Sequence, residues 1–121
     1  MNNLNCKNFG ELSDEQIKAV LQLTYQLIAS ANYGNISESD DSSIDVMMKA
    51  LGFTGPILSN LGNAYWNDAV DMNAYHAFDV VSRFNSIQKQ AFKDAVLSVA
   101  NKANTLLRMD IARQIFNRVG I

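Results

Sequence analysis

Along most of the chain apolar residues recur at steps of three and four, and the stripes are separated by residues that start and stop helices. Ser13 and Gln16 have the spacing of a capping box, and Asp14 and Glu15 follow at the positive end of the helix dipole. Ile17, Val20, Leu21, Thr24, Leu27, Ile28 and Ala31 then make one apolar stripe. Lys18, Gln22 and Gln26 fall on other faces and Gly34 is the natural stop, which predicts a helix over 14–33. A second helix is expected over 37–51: Ser37 and Asp40 stand three apart, Glu38, Asp40 and Asp41 occupy the first turn, and Ile44, Met47, Met48 and Leu51 share a face before Gly52. Gly55, Asn60, Gly62, Asn63 and Asn67 weaken the next stretch, but Pro56 suits a first helical position, and a helix over 56–69 is expected.

Asn73 caps a short segment over 74–84 that carries Ala74, Ala77, Phe78, Val81 and Phe84. Asn85 or Ser86 opens a longer one over 86–102, with Phe92, Ala95, Val96, Val99 and Ala103 inward and Lys89, Lys93 and Asp94 outward. The last runs over 105–119 with Met109, Ala112, Ile115, Phe116 and Val119 on its apolar face. It closes in Gly120 and Ile121, the glycine-plus-apolar ending also present at Gly52 and Phe53. No alternating run of strand length and no Asn-Gly or Asp-Gly turn competes. The expectation is an all-α fold, a single bundle of about six helices, with the 14–33 and 86–102 helices at its centre.

Size and composition narrow this further. The chain has 121 residues, one proline, 48% apolar and 18% charged residues, the profile of one globular domain over 1–121, with 1–12 expected to be a loosely ordered N-terminal segment. No run approaches the roughly 18 apolar residues of a membrane span, and residues 1–5 lack the basic start and apolar stretch of a secretory signal; a cytoplasmic protein without membrane insertion is expected. One cysteine makes no internal disulfide, and one cysteine with one histidine makes no ordinary structural zinc site.

The chain also echoes itself. Ser30-Ala31-Asn32 overlays Val99-Ala100-Asn101, and Leu51-Gly52-Phe53 overlays Val119-Gly120-Ile121 with one gap between, so two helix pairs look like copies. With the turns Ala31-Asn32-Tyr33-Gly34-Asn35-Ile36-Ser37-Glu38 and Ala100-Asn101-Lys102-Ala103-Asn104-Thr105, the chain resembles the tellurite-resistance TerB-like helical domains over 14–121. That family repeats, twice, a helix ending Ala-Asp-Gly, a short turn with an apolar residue, and an acidic helix closed by an apolar-Gly-apolar stop. The resemblance implies an interaction module in a stress-response or membrane-associated complex, in a family associated with divalent metal ions held by carboxylates in those turns. Asn32 and Asn101 stand where the family has aspartates, the first turn has an extra residue, and the second lacks its glycine. The resemblance is therefore to a divergent member with an altered metal site.

Candidate chemistry is sparse. Glu38, Asp40, Asp41 and Asp45 supply carboxylates three or four apart on one helix face, the arrangement that would hold calcium or magnesium; an acidic first turn facing water is the ordinary and favoured alternative. His76 is the one imidazole, the group that exchanges protons near neutral pH, with Asp79 one turn on as a structural neighbour. A nucleophile pair of Cys6 and His76 is disfavoured, and no phosphate-binding glycine motif is present. An enzyme is not expected, nor a cofactor.

Tyr65, Trp66, Tyr75 and His76 gather the residue types that interfaces favour, which makes them a candidate partner-binding patch or part of a small core. Charge is split along the chain. Residues 1–82 carry Lys7, Lys18 and Lys49 against ten acidic groups, a net of −7. Residues 83–121 carry seven basic groups against Asp94 and Asp110, a net of +5. The halves either balance within the fold or offer a basic face, with Lys102, Arg108, Arg113 and Arg118, to an acidic partner. The overall charge of −2 opposes nucleic-acid binding. The functional expectation is a non-enzymatic helical interaction module with a protein partner, with homo-oligomerisation left open; the alternative is a divalent-metal-binding regulatory module built on 38–45.

Overall fold

The computed structural model describes residues 3–6, 9–31, 49, 63–100 and 105–121. Strands β1 (Asn3–Cys6) and β2 (Gly10–Ser13) precede helices α1 (Asp14–Ala31), α2 (Asn63–Val70), α3 (Ala74–Ser82), α4 (Ser86–Ala100) and α5 (Thr105–Val119). The described residues are predominantly helical, an all-α fold with a two-stranded ribbon attached. The helix expected over 37–51 lies outside the described residues except for Lys49, as does the first half of the one expected over 56–69.

Local chemistry starts the helices where the sequence puts its caps. The Ser13 N–H donates to Gln16 Oε1 at 2.9 Å and the Gln16 N–H returns to Ser13 Oγ at 3.2 Å, closing the capping box of α1. Asn73 Oδ1 accepts from the N–H groups of Tyr75 and His76 at the start of α3. At α4 the choice falls on Asn85, whose Oδ1 accepts from the Gln88 N–H at 2.8 Å while its own N–H donates to Gln88 Oε1 at 3.1 Å. Helix α5 ends as expected. Gly120 takes φ +79° and the Ile121 N–H reaches back to the Phe116 carbonyl at 3.0 Å, while Ile121 packs against the core.

Helix α1 is the centre, packed against β2, α2, α3 and α5 and more lightly against α4. Its stripe residues Ile17, Val20, Leu21, Leu27 and Ile28 are fully buried, and so are Ala19 and Leu23 beside the stripe. Burial on several sides explains a departure from the periodic reading: Gln22, assigned to an outer face, is 1% exposed. Its Nε2 donates to the Ala69 carbonyl of α2 at 2.6 Å and its Oε1 accepts from Gln26 Nε2 at 2.6 Å, so the buried amide is satisfied. Thr24 is buried too, its hydroxyl donating to the Val20 carbonyl one turn back. Helix α4 presents Phe92, Ala95, Val96, Val99 and Ala100 to the core, but among the described residues it packs mainly on α5, with Phe92 edge-on to Phe116. Among the described residues it flanks the core that α1 centres.

Ahead of α1, β1 pairs antiparallel with β2, from Asn3 opposite Ser13 to Cys6 opposite Gly10, with Gly10 at φ +77°. Phe9 and Leu12 are buried, Phe9 stands edge-on to Phe84, and Gln88 Nε2 donates to the Phe9 carbonyl at 3.4 Å. Four-residue strands are too short to leave an alternating signature. Phe9 finds its partners far along the chain, in Phe84 just after α3 and in Gln88 of α4.

Candidate functional site

Tyr75 and Phe78 are three residues apart on α3, so the Asn73 cap that starts the helix also sets them on one face. Across from them, in the last turn of α5, stands Arg118, where a cation complements the helix dipole. Its guanidinium carbon lies 4.9 Å from the Phe78 ring centroid and 5.8 Å from that of Tyr75. At an exposed site such stacking contributes about 0.5–1 kcal/mol and holds the side chain in place. Tyr75 is 74% exposed, a large area for an aromatic ring on a small domain.

These three side chains border a cleft of about 330 Å³, completed by Gln26 and Ser30 of α1, Ala74 of α3, and Ile111, Gln114 and Ile115 of α5. Arg118 supplies the only charge among its described lining residues; the rest are apolar or neutral amides and hydroxyls.

The other residues singled out from sequence are dispersed. Tyr65 and Trp66 are half-buried and fasten α2 to α1: the Tyr65 hydroxyl donates to Asp14 Oδ1 at 2.6 Å, and Trp66 stands edge-on to Tyr25 at 6.1 Å. Lys18 and Asp68 add an ion pair of 3.3 Å across the same junction. His76 leaves the face of Tyr75 and sets its Nε2 3.1 Å from Glu15 Oε2, in a shallow cleft of about 360 Å³ that includes Asp79 and Arg83. Arg108 is 1% exposed, so it belongs to the interior and not to a basic outer face. Arg113 is exposed and pairs with Asp110 at 2.8 Å.

Glu38, Asp40, Asp41 and Asp45 lie outside the described residues, as does Lys102. Among the described residues no group of three or more His, Cys, Asp or Glu side chains is placed to hold a metal ion. Among them, too, no helix is long and apolar enough to cross a membrane.

A larger cleft among the described residues, about 530 Å³, runs along α4 from Ser86 and Ile87 to Ser98. It is a weaker site than its size suggests, because all its described walls come from that one helix. Its single charged residue, Asp94, already accepts from Gln90 Nε2 at 2.9 Å. The smaller cleft draws on three helices and contains a stacked cation.

No family model matches the chain, and no curated protein or solved structure matches it. The site therefore rests on its own geometry. Sequence reading missed Phe78, taken as core, and Gln26, Gln114 and Ile111. A usable signal was present in Tyr75 and Phe78 one turn apart with an arginine in the last turn of a later helix, but which helix faces which is not written in either segment.

Proposed function

We propose that the protein is a non-enzymatic helical interaction module, acting in the cytoplasm, that meets a protein partner through the cleft between α1, α3 and α5. The observation that carries this reading is Arg118 stacked on the exposed Tyr75 and on Phe78 at the rim of a three-helix cleft. Exposed aromatics and arginine are the side chains that dominate binding energy at interfaces, and a stacked arginine meets its partner with little rotamer freedom left to lose. The likeness to TerB-like domains supports the same reading and suggests a stress-response or membrane-associated complex as its setting. The residues that carry that likeness, 31–38 and 100–105, lie almost wholly outside the described residues. The metal-binding alternative rests on Glu38, Asp40, Asp41 and Asp45, and no described residue adds to it.

The test is site-specific photo-cross-linking in native extract, with the photoreactive residue at Tyr75 or, as a control, at Gln90 on the outer face of α4. The expected result is a discrete adduct from position 75, lost with Arg118→Glu, and none from position 90. Equal adducts from both positions, or none from 75, would refute the assignment.

A further inference from the structure

We propose that the cleft between α1, α3 and α5 recognises a peptide segment in which a carboxylate adjoins an apolar side chain. The carboxylate is held by Arg118 and the apolar group rests against Phe78, Ile111 and Ile115. The inference rests on the contact-face reading above and adds the chemistry of what is bound.

Arg118 is set apart from the other described arginines. Arg83 pairs with Asp79 at 3.2 Å, Arg113 pairs with Asp110, and Arg108 is buried. The Arg118 guanidinium instead lies over the Phe78 and Tyr75 rings, and among the described residues no carboxylate comes within ion-pair distance of it. Among the described residues no hydrogen bond or ion pair engages Arg118, so its guanidinium keeps N–H groups to donate, the fork that matches a carboxylate with two parallel hydrogen bonds.

The surroundings narrow the ligand. No Asp or Glu is among the described lining residues, so the cleft attracts an anion and not a cation. One arginine suits one carboxylate, whereas nucleic acid and phosphopeptide sites gather several cations. Gln26, Ser30 and Gln114 offer neutral hydrogen-bonding groups to a peptide backbone, and Ile111 and Ile115 with the Phe78 ring supply an apolar floor. A cleft of about 330 Å³ has room for one apolar and one acidic side chain but not for a folded domain.

The experiment is a titration of the full chain, followed by amide NMR, with N-acetyl-leucyl-glutamate amide and with its glutamine counterpart, each to ~10 mM. The expected result is shifts confined to residues 26–30, 74–78 and 111–118, with the glutamate peptide binding about tenfold more tightly. Arg118→Gln should abolish that difference, Arg118→Lys should retain part of it, and Arg113→Gln should leave it intact. Equal binding of the two peptides, shifts elsewhere, or no binding at the highest concentration would overturn the proposal. Persistence of the Tyr75 cross-link while the peptides fail would overturn the carboxylate assignment and leave the contact face standing; loss of both would remove both.

Discussion

Gln22→Leu separates the tertiary structure from the periodic pattern more sharply than any other single substitution. On an outer helix face this change would alter stability by no more than about 0.5 kcal/mol. In the structure the side chain is 1% exposed and makes two hydrogen bonds, to the Ala69 carbonyl and from Gln26 Nε2. The Ala69 carbonyl keeps a second donor, the Met72 N–H at 3.0 Å, and Gln26 is half-buried and can turn to water. The full penalty of two orphaned groups therefore does not apply. One net buried hydrogen bond plus partial desolvation of the carbonyl is worth about 1–2 kcal/mol, little offset by leucine in a slot shaped for an amide. Urea unfolding followed by far-UV circular dichroism measures the loss. The single tryptophan, Trp66, stacked edge-on to Tyr25 beside the same α1–α2 junction, gives an independent fluorescence probe. The two probes should agree on a destabilisation of about 1–2 kcal/mol, and Gln26→Leu should cost less than half as much. A Gln22→Leu protein as stable as wild type, within about 0.3 kcal/mol, would refute the burial of this residue and the placement of α2 against α1.

Three further outcomes are expected. Leu27→Ala and Phe92→Ala, both at fully buried positions, should each cost roughly 2–5 kcal/mol by chemical denaturation, and a loss below about 1 kcal/mol at either would show a misplaced core. Gly120→Ala should cost about 1–2 kcal/mol because φ is +79° there; the nearest atom to an added Cβ is the flexible Lys89 Nζ at 3.7 Å, so the loss is conformational and Gly120→Asn should recover part of it. Millimolar calcium or magnesium should leave the melting temperature nearly unchanged; stabilisation of about 2 kcal/mol at ~1 mM, abolished by Asp41→Asn, would promote the metal-binding alternative.

What the sequence determined by itself is what depends on neighbours three and four residues apart. The apolar stripe of α1, the capping box at Ser13, the Asn73 cap and the Gly120–Ile121 ending are all local, and each stands where the pattern puts it, while at α4 the pattern offered Asn85 or Ser86 and the structure chose Asn85. What only the tertiary structure decided links residues far apart in the chain. The Gln22–Ala69, Tyr65–Asp14 and His76–Glu15 contacts span 47, 51 and 61 positions. Such pairings depend on how helices cross, and a stripe says that a face is buried without saying against what. The same limit explains why Tyr65 and Trp66 turn out to be a brace between α1 and α2, why Arg108 lies inside a region read as a basic surface, and why Tyr75 finds its cation 43 residues away, on the last turn of α5. Periodicity counts faces; only packing assigns each face its neighbour.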